Sequence, residues 1–475
     1  MLFNSIEFVI FFLTVTTLFF LLPHKYRWFL LLAASCYFYM AFIPVYILIL
    51  GFTIVVDYFA GIYLENAKSK KKLFLIMSLV ANIGVLAFFK YFNFINENLT
   101  ALLNGVGGIS NPVPFLKIIL PIGLSFHTFQ AMSYTIEVYR GNQKAERNFG
   151  IYALYVMFYP QLVAGPIERP QNLLHQFYEK HELNYDNVVS GLKMILWGFF
   201  QKLVVADRLS IYVDAVYNNP ENHSGLTLLL ATVFFAFQIY CDFAGYSNIA
   251  LGCAKIMGFK LMTNFRRPYY SKSISEFWSR WHISLSSWFR DYLYIPLGGN
   301  RVSIPRWYFN LLFVFLLSGL WHGANWTFIL WGAINGLYLI FSLVFKKFNE
   351  KFSAVTGLKK NPGIFAFIQI VTAFLLTSFA WIFFRANSIS NAFLIIRKIF
   401  TFKGPLFIDT PSAIIYSLLA IGLLLISEFF TEFYPGVSLI NNKYKPVRYM
   451  AYAGLVTLIL LLGVFDGGQF IYFQF

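Results

Sequence analysis

Apolar residues in this chain come in long, nearly unbroken stretches. They do not alternate, nor do they recur every third or fourth position as on a helix that shows one face to a core. The stretches cover residues 6–22, 28–41, 44–64, 73–92, 115–138, 189–205, 226–257, 308–320, 326–345, 364–384, 413–430 and 449–465. About 20 apolar residues cross ~30 Å of hydrocarbon as a helix, and most of these runs approach or pass that length. A further stretch, 151–164, is shorter and contains Pro160, which predicts a re-entrant segment. Several runs are short or interrupted, as expected of helices that stop partway where they line a protein-enclosed cavity. No internal repeat and no soluble domain breaks the pattern. The expectation is an all-α polytopic membrane protein, one integral-membrane domain over residues 1–475.

Composition strengthens that reading. Hydrophobic residues make up 58% of the chain and charged residues 12%, and the mean hydropathy is +0.63. Ordinary soluble domains sit near ~45–50% and ~25%, so this chain has too few charges to cover a soluble particle. Disorder, a collagenous fibre and a disulfide-rich secreted scaffold are excluded. Aromatic residues reach 20%, led by 57 Phe, which suits a lipid-facing shell and interfacial belts. The net charge of +16 does not point to nucleic acid, because the basic residues fall mostly in short loops between apolar runs. They read as topology signals, with anionic membrane lipid as a secondary partner.

Lys25 and Arg27 follow the first run, Lys68, Lys70, Lys71 and Lys72 the third, and Arg140, Lys144 and Arg147 the fifth. Residues 93–112, after the fourth, contain no Lys or Arg. This alternation predicts an extracytoplasmic N-terminus and cytoplasmic basic loops. Lys346, Lys347, Lys351, Lys359 and Lys360 mark another inside loop, as do Lys443, Lys445 and Arg448, leaving the tail after Phe465 outside. Arg385, Arg397, Lys398 and Lys403 fall on the predicted outer side, and an interfacial helix over 391–402 reconciles them. The first run lacks a basic leader and a cleavage site, so it reads as a retained helix. Cys36, Cys241 and Cys253 are scattered, without the spacing of a disulfide framework or a metal site.

Three places carry candidate chemistry. The first is Ser318-Gly-Leu-Trp-His-Gly-Ala-Asn-Trp326, where His322 sits between two apolar runs. An imidazole at membrane depth is costly unless it has partners or faces a cavity, and with a pKa near ~6.5 it is mostly neutral, as a general base must be. The alternative is a hydrogen-bonded histidine between helices. The second is 272–293, where Ser273-x-x-Glu276 reads as a capping box. Ile274, Phe277, Trp278, Trp281, Leu285, Trp288, Phe289 and Tyr292 form one helical stripe there, with Arg280, Ser284, Ser287 and Asp291 opposite and His282 at the border. A continuous amphipathic helix at the membrane interface explains the stripe. A border position could equally aim His282 into a cavity. The third is the tail Phe470-Ile-Tyr-Phe-Gln-Phe475, which reads as an aromatic plug or as the carrier of an acyl group on Tyr472. Asp57, Lys90, His127, Asp242 and Asn325 are the other polar groups in apolar surroundings. For Asp242 a buried cation partner, or a helix kink at Gly245, is expected.

Six segments together resemble the membrane-bound O-acyltransferase family. They are Pro121-Ile-Gly-Leu-Ser-Phe126, Ala164-Gly-Pro-Ile-Glu168, Asp242-Phe-Ala-Gly-Tyr-Ser247, Glu276-Phe-Trp-Ser-Arg-Trp-His-Ile-Ser-Leu285, Arg290-Asp-Tyr-Leu-Tyr-Ile-Pro-Leu-Gly-Gly-Asn300 and Gly319-Leu-Trp-His-Gly-Ala-Asn-Trp326. The resemblance is to the bacterial branch that acetylates alginate, peptidoglycan and cellulose. It implies a ring of about 11–13 transmembrane helices, with re-entrant and interfacial helices, around a membrane-crossing tunnel. It identifies His322 with the catalytic histidine and His282 with a second catalytic position that is often Asn or Asp in eukaryotic members. Asp242, Trp278, Arg280, Trp321 and Asn325 are expected to line the tunnel or bind substrate, and Tyr472 matches a tyrosine proposed to relay the acyl group. The resemblance further implies no bound cofactor, acetyl-CoA as the acyl donor, an extracytoplasmic partner transferase of the SGNH type and a polysaccharide as final acceptor. A transporter or polymer-export channel, and a peptidoglycan or lipid O-acyltransferase, are the rival expectations.

Overall fold

The structure is a computed structural model that describes residues 1–107, 110–163, 165–408, 410–434 and 436–465. Among the described residues all regular elements are helical. Nine helices there are long and apolar enough to cross a membrane: Pro44–Asn66, Lys71–Val106, Tyr185–Tyr217, Gly225–Ile256, Ile304–His322, Trp326–Val344, Pro362–Arg385, Pro411–Phe433 and Lys445–Leu462. The first two apolar runs become shorter helices, Ile6–Leu21 and His24–Met40. Ser5 caps the former by accepting from the Phe8 amide, and Pro23 separates the two. The 151–164 run breaks as its proline predicts, into Phe149–Met157 and Tyr159–Leu162.

Two expectations are corrected, and the stretch after the fourth apolar run gains a helix. Helix continues through a π turn at Ala87–Tyr91 into Phe92–Gly107, because lack of Lys and Arg does not break a helix and no Pro or Gly occurs before Gly105. The apolar run 115–138 becomes helical only at Leu124. Pro112, Pro114 and Pro121 remove amide donors and bias their predecessors out of helical geometry. The Asn93 side chain pins the extended segment, accepting from the Leu116 amide at 3.0 Å and donating to its carbonyl at 2.8 Å. The 272–293 helix is two helices, Ile274–Arg280 and Ile283–Phe289, followed by a π turn, Arg290–Tyr294.

The chain forms two compact units, residues Met1–Ile195 with Tyr246–Met262, and Leu196–Gly245 with Thr263 onward. In the first, Asp57 accepts from Ser78 Oγ at 2.6 Å and from Asn82 Nδ2 at 2.9 Å, and Ser78 Oγ lies 3.0 Å from Thr135 Oγ1. All four side chains are buried. One turn before Asp57, Thr53 Oγ1 lies 3.2 Å from His127 Nε2. Asp57 and His127 therefore serve as polar ties between helices, where water is not available to satisfy them.

The second unit has an aromatic core that includes Phe234, Phe235, Trp281, Trp331, Trp381 and Phe384. Its helix crossing at Gly245 is close, since a Cβ there would stand 2.7 Å from the Gly198 carbonyl oxygen and 3.0 Å from the Lys202 amide. The expected helix near 391–402 is present as Ile389–Thr401. Two of the four basic residues that resisted the topology rule have internal work. Arg385 pairs with Asp214 at 2.6 Å, and Lys398 Nζ donates to the carbonyls of Pro220, Glu221 and His223 at 3.0, 2.5 and 3.0 Å. Cations consumed by local hydrogen bonds carry little orientation information.

Candidate active site

His322 is the last residue of the Ile304–His322 helix, and Trp326–Val344 follows after three residues. The two helices touch through glycine: a Cβ on Gly319 would stand 3.3 Å from Gly332 Cα and collide with the Phe328 carbonyl. Gly323 is extended, and Asn325 caps the second helix by accepting from the Thr327 amide at 2.9 Å. The motif is thus a helix, a short turn and a helix, with the imidazole at the bend. His322 is 4% exposed. Trp321, Trp331 and Phe384 meet its ring edge-on, at centroid separations of 4.9, 5.0 and 5.3 Å.

His282 reaches the same aromatic cluster by a different route. It stands between the two seven-residue helices with φ 42° and ψ 54°, a left-handed conformation that costs a residue with a Cβ about 1–3 kcal/mol. Hydrogen bonds on either side impose it. The Arg266 amide donates to the Arg280 carbonyl and the Ile283 amide to the Asn264 carbonyl, both at 2.9 Å. Asn264 Oδ1 also accepts from the Ser284 amide at 3.2 Å and hydroxyl at 2.9 Å. His282 is 1% exposed, against the rings of Phe243 at 4.6 Å and Trp321 at 6.1 Å. Burial pushes its imidazole down to about 3, so it is neutral at physiological pH. The indole of Trp321 is therefore shared, with one imidazole 6.1 Å and the other 4.9 Å from it.

The other sequence candidates divide. Trp278 packs against Trp331 at 5.7 Å, within the cluster. Arg280 is drawn into ion pairs with Glu276 at 2.6 Å and Glu432 at 2.8 Å. Glu276 also accepts from the Lys272 amide at 2.8 Å while Ser273 Oγ takes the Glu276 amide, so the capping box is present with its return bond one residue earlier. Asp242 has the buried cation expected for it: Lys202 Nζ lies 2.5 Å from Asp242 and 2.8 Å from Asp207. Asp242 precedes Phe243, whose ring touches His282, so the ion pair anchors that wall. Asn325 acts as the helix cap. Tyr472 lies outside the described residues.

Sequence reading missed Lys202, although a lysine inside an apolar run was a visible signal, and it missed the walls Trp331, Trp381 and Phe384, which look like ordinary apolar residues of spanning helices. It also missed Asn264, which acts only through the fold.

Residues 148–384, a stretch that holds both histidines, match the family described as MBOAT, membrane-bound O-acyltransferase. The chain is 38% identical over 406 residues to the probable alginate O-acetylase AlgI of Pseudomonas aeruginosa, covering 85% of this chain and 75% of that protein. It is 34% identical to a peptidoglycan O-acetyltransferase of Helicobacter pylori, covering 79% and 74%. A shorter match, 30% identical over 245 residues, joins it to a teichoic acid D-alanyltransferase of Bacillus subtilis, covering 49% and 61%. With nine long apolar helices among its described residues, the chain is an integral, multi-pass membrane protein that belongs to the membrane-bound O-acyltransferase family.

Proposed function

We propose that this O-acyltransferase moves acetyl groups from cytoplasmic acetyl-CoA across the bacterial inner membrane for O-acetylation of a secreted or cell-surface polysaccharide. His322 is the general base. It takes the proton of an acceptor hydroxyl as the oxygen bonds to the thioester carbonyl carbon. The carbon–sulfur bond then breaks, and the CoA thiolate recovers the proton from the imidazolium. His282, neutral and across Trp321, assists it. Tyr472, or a serine of an extracytoplasmic SGNH-type partner, is the immediate acceptor, and a polysaccharide hydroxyl is the final one. Both chain termini are extracytoplasmic in this reading.

One observation carries the proposal: two imidazoles, far apart in sequence, flank one buried indole at 6.1 and 4.9 Å. The names of the relatives support a polysaccharide acceptor, since alginate and peptidoglycan appear among them. The test is an acetyl-ester assay on surface polysaccharide from cells carrying wild-type protein or His322→Ala. Loss of a general base typically removes ~10²–10⁴-fold in rate, so ester content should fall to background while the protein still accumulates in the membrane. Normal ester content in that variant refutes the assignment. Tyr472→Phe separates the relay from the enzyme: undiminished acetylation there removes Tyr472 as acyl carrier and leaves His322 in place.

A further inference from the structure

In the unit that holds the imidazoles, the buried polar groups with no hydrogen-bond partner among the described residues include the indole Nε1–H of Trp278, that of Trp381 and the hydroxyl of Ser378, the last two of which lie on one helix. That helix is Pro362–Arg385, where Trp381 and Ser378 are 1% and 5% exposed. An unpaired buried donor is destabilising, and a fold that keeps two on one helix has a use for them. Three residues apart, they share a helix face. The Trp381 ring stacks on Trp331 at 5.6 Å and meets Phe384 edge-on at 5.2 Å. Those are two of the three rings around His322. The Trp381 indole therefore stands one aromatic layer away from the imidazole, with Ser378 about one helical turn from Trp381. An indole N–H can only donate, so its missing partner is an acceptor atom brought by a ligand.

We propose that Trp381 Nε1–H and Ser378 Oγ–H donate to the carbonyl oxygen of the acyl thioester and to the oxyanion formed there during transfer. The assignment rests on the reading of His322 as the base. When the acceptor oxygen, its proton passing to His322, bonds to the carbonyl carbon, the C=O π pair moves onto the carbonyl oxygen. The two donors hold that charge until the carbon–sulfur bond breaks and the pair returns. A base, an attacking oxygen, a carbonyl and a donor in sequence span about 8–9 Å, within reach of a donor two ring contacts from the imidazole. Beside aromatic rings, where the local dielectric is low, such donors act more strongly than in bulk water.

Trp381→Phe keeps a ring and deletes the N–H, and Ser378→Ala deletes the hydroxyl. The readout is CoA release from acetyl-CoA by purified full-length protein in lipid vesicles, with water as acceptor, alongside Tm. Loss of one such donor typically costs ~10²–10³-fold. Trp381→Phe should therefore lower kcat about 10²-fold and Ser378→Ala by less, with KM for acetyl-CoA and Tm as in wild type. Wild-type kcat in both variants overturns the proposal, and so does a loss that comes with raised KM or lowered Tm. Should Trp381→Phe fail to accumulate, Ser378→Ala decides: a lower kcat at unchanged KM supports the donor role, and an unchanged kcat overturns it. Wild-type release no faster than that of His322→Ala would instead remove the base chemistry beneath the proposal, so the two failures are distinguishable.

Discussion

His322 and His282 end beside the same indole, but the chain places them in opposite ways. His322 keeps ordinary helical geometry at the end of a 19-residue helix, and its position follows from a glycine contact and a three-residue turn within its own motif. His282 is forced into left-handed backbone between two short helices, and residues 264 and 266 hold it there. One imidazole is set by a continuous helix hairpin, the other by hydrogen bonds between separate segments. The first site should fail when helices are pushed apart, the second when a single polar side chain is lost.

Gly319→Val tests the hairpin. Its side chain meets the Phe328 carbonyl and the Gly332 backbone, so the helices must separate. Overpacking of this kind costs ~1–3 kcal/mol or more, and the expected outcome is little folded protein in the membrane, read as Tm and as yield. Wild-type yield and Tm would show that the crossing is looser than its geometry implies.

Asn264→Ala tests the bracket. It leaves the buried Ser284 amide and hydroxyl without their acceptor, a cost of about 1–3 kcal/mol. Tm should fall moderately, and CoA release should fall further than the stability loss explains, because the Ser284 anchor beside His282 is lost and only the backbone pairs of Arg280 and Ile283 still hold the turn. Unchanged activity at lowered Tm would mean that the position of His282 does not matter to the reaction.

His282→Asn has a smaller expected effect on the fold. Asn tolerates left-handed backbone better than most residues, so Tm should stay near wild type while activity falls less than in His322→Ala. Equal losses in the two variants would break the distinction between base and assistant.

The smallest effect concerns pH. Burial holds His282 down to about 3, so it stays neutral above that value and gains a proton only as pH falls through it. Any acid limb in the activity between pH 5 and 8 must then come from another group and should persist unchanged in His282→Asn. Its disappearance would place the titrating imidazole at 282.

His322 was legible as a residue, since an imidazole between apolar runs stands out by its desolvation cost alone, whereas His282 sat at the border of an amphipathic stripe and was singled out by the family motif around it. Their surroundings were legible to different degrees. The Gly319–Trp326 motif spells its own turn, with small residues for the crossing and Asn325 for the cap. The 272–293 segment, by contrast, has unbroken helical periodicity, and nothing in it announces the break at Trp281–His282. The break comes from Asn264 and Arg266, which compete successfully for the backbone groups that a continuous helix would have used. Arg280 shows the same limit: its pair with Glu276 lies one helical turn away, but its pair with Glu432 joins segments far apart in sequence.

Hydrophobic run length was enough to establish an all-helical membrane chain and most of its long apolar helices, because the cost of burying charge and backbone is paid residue by residue. The pairing of Lys202 with Asp242, the left-handed turn at His282, the aromatic walls and the unpaired donors of Trp381 and Ser378 emerged only in three dimensions. Each depends on which distant segments become neighbours, and a local pattern of apolar and polar residues has no term for that.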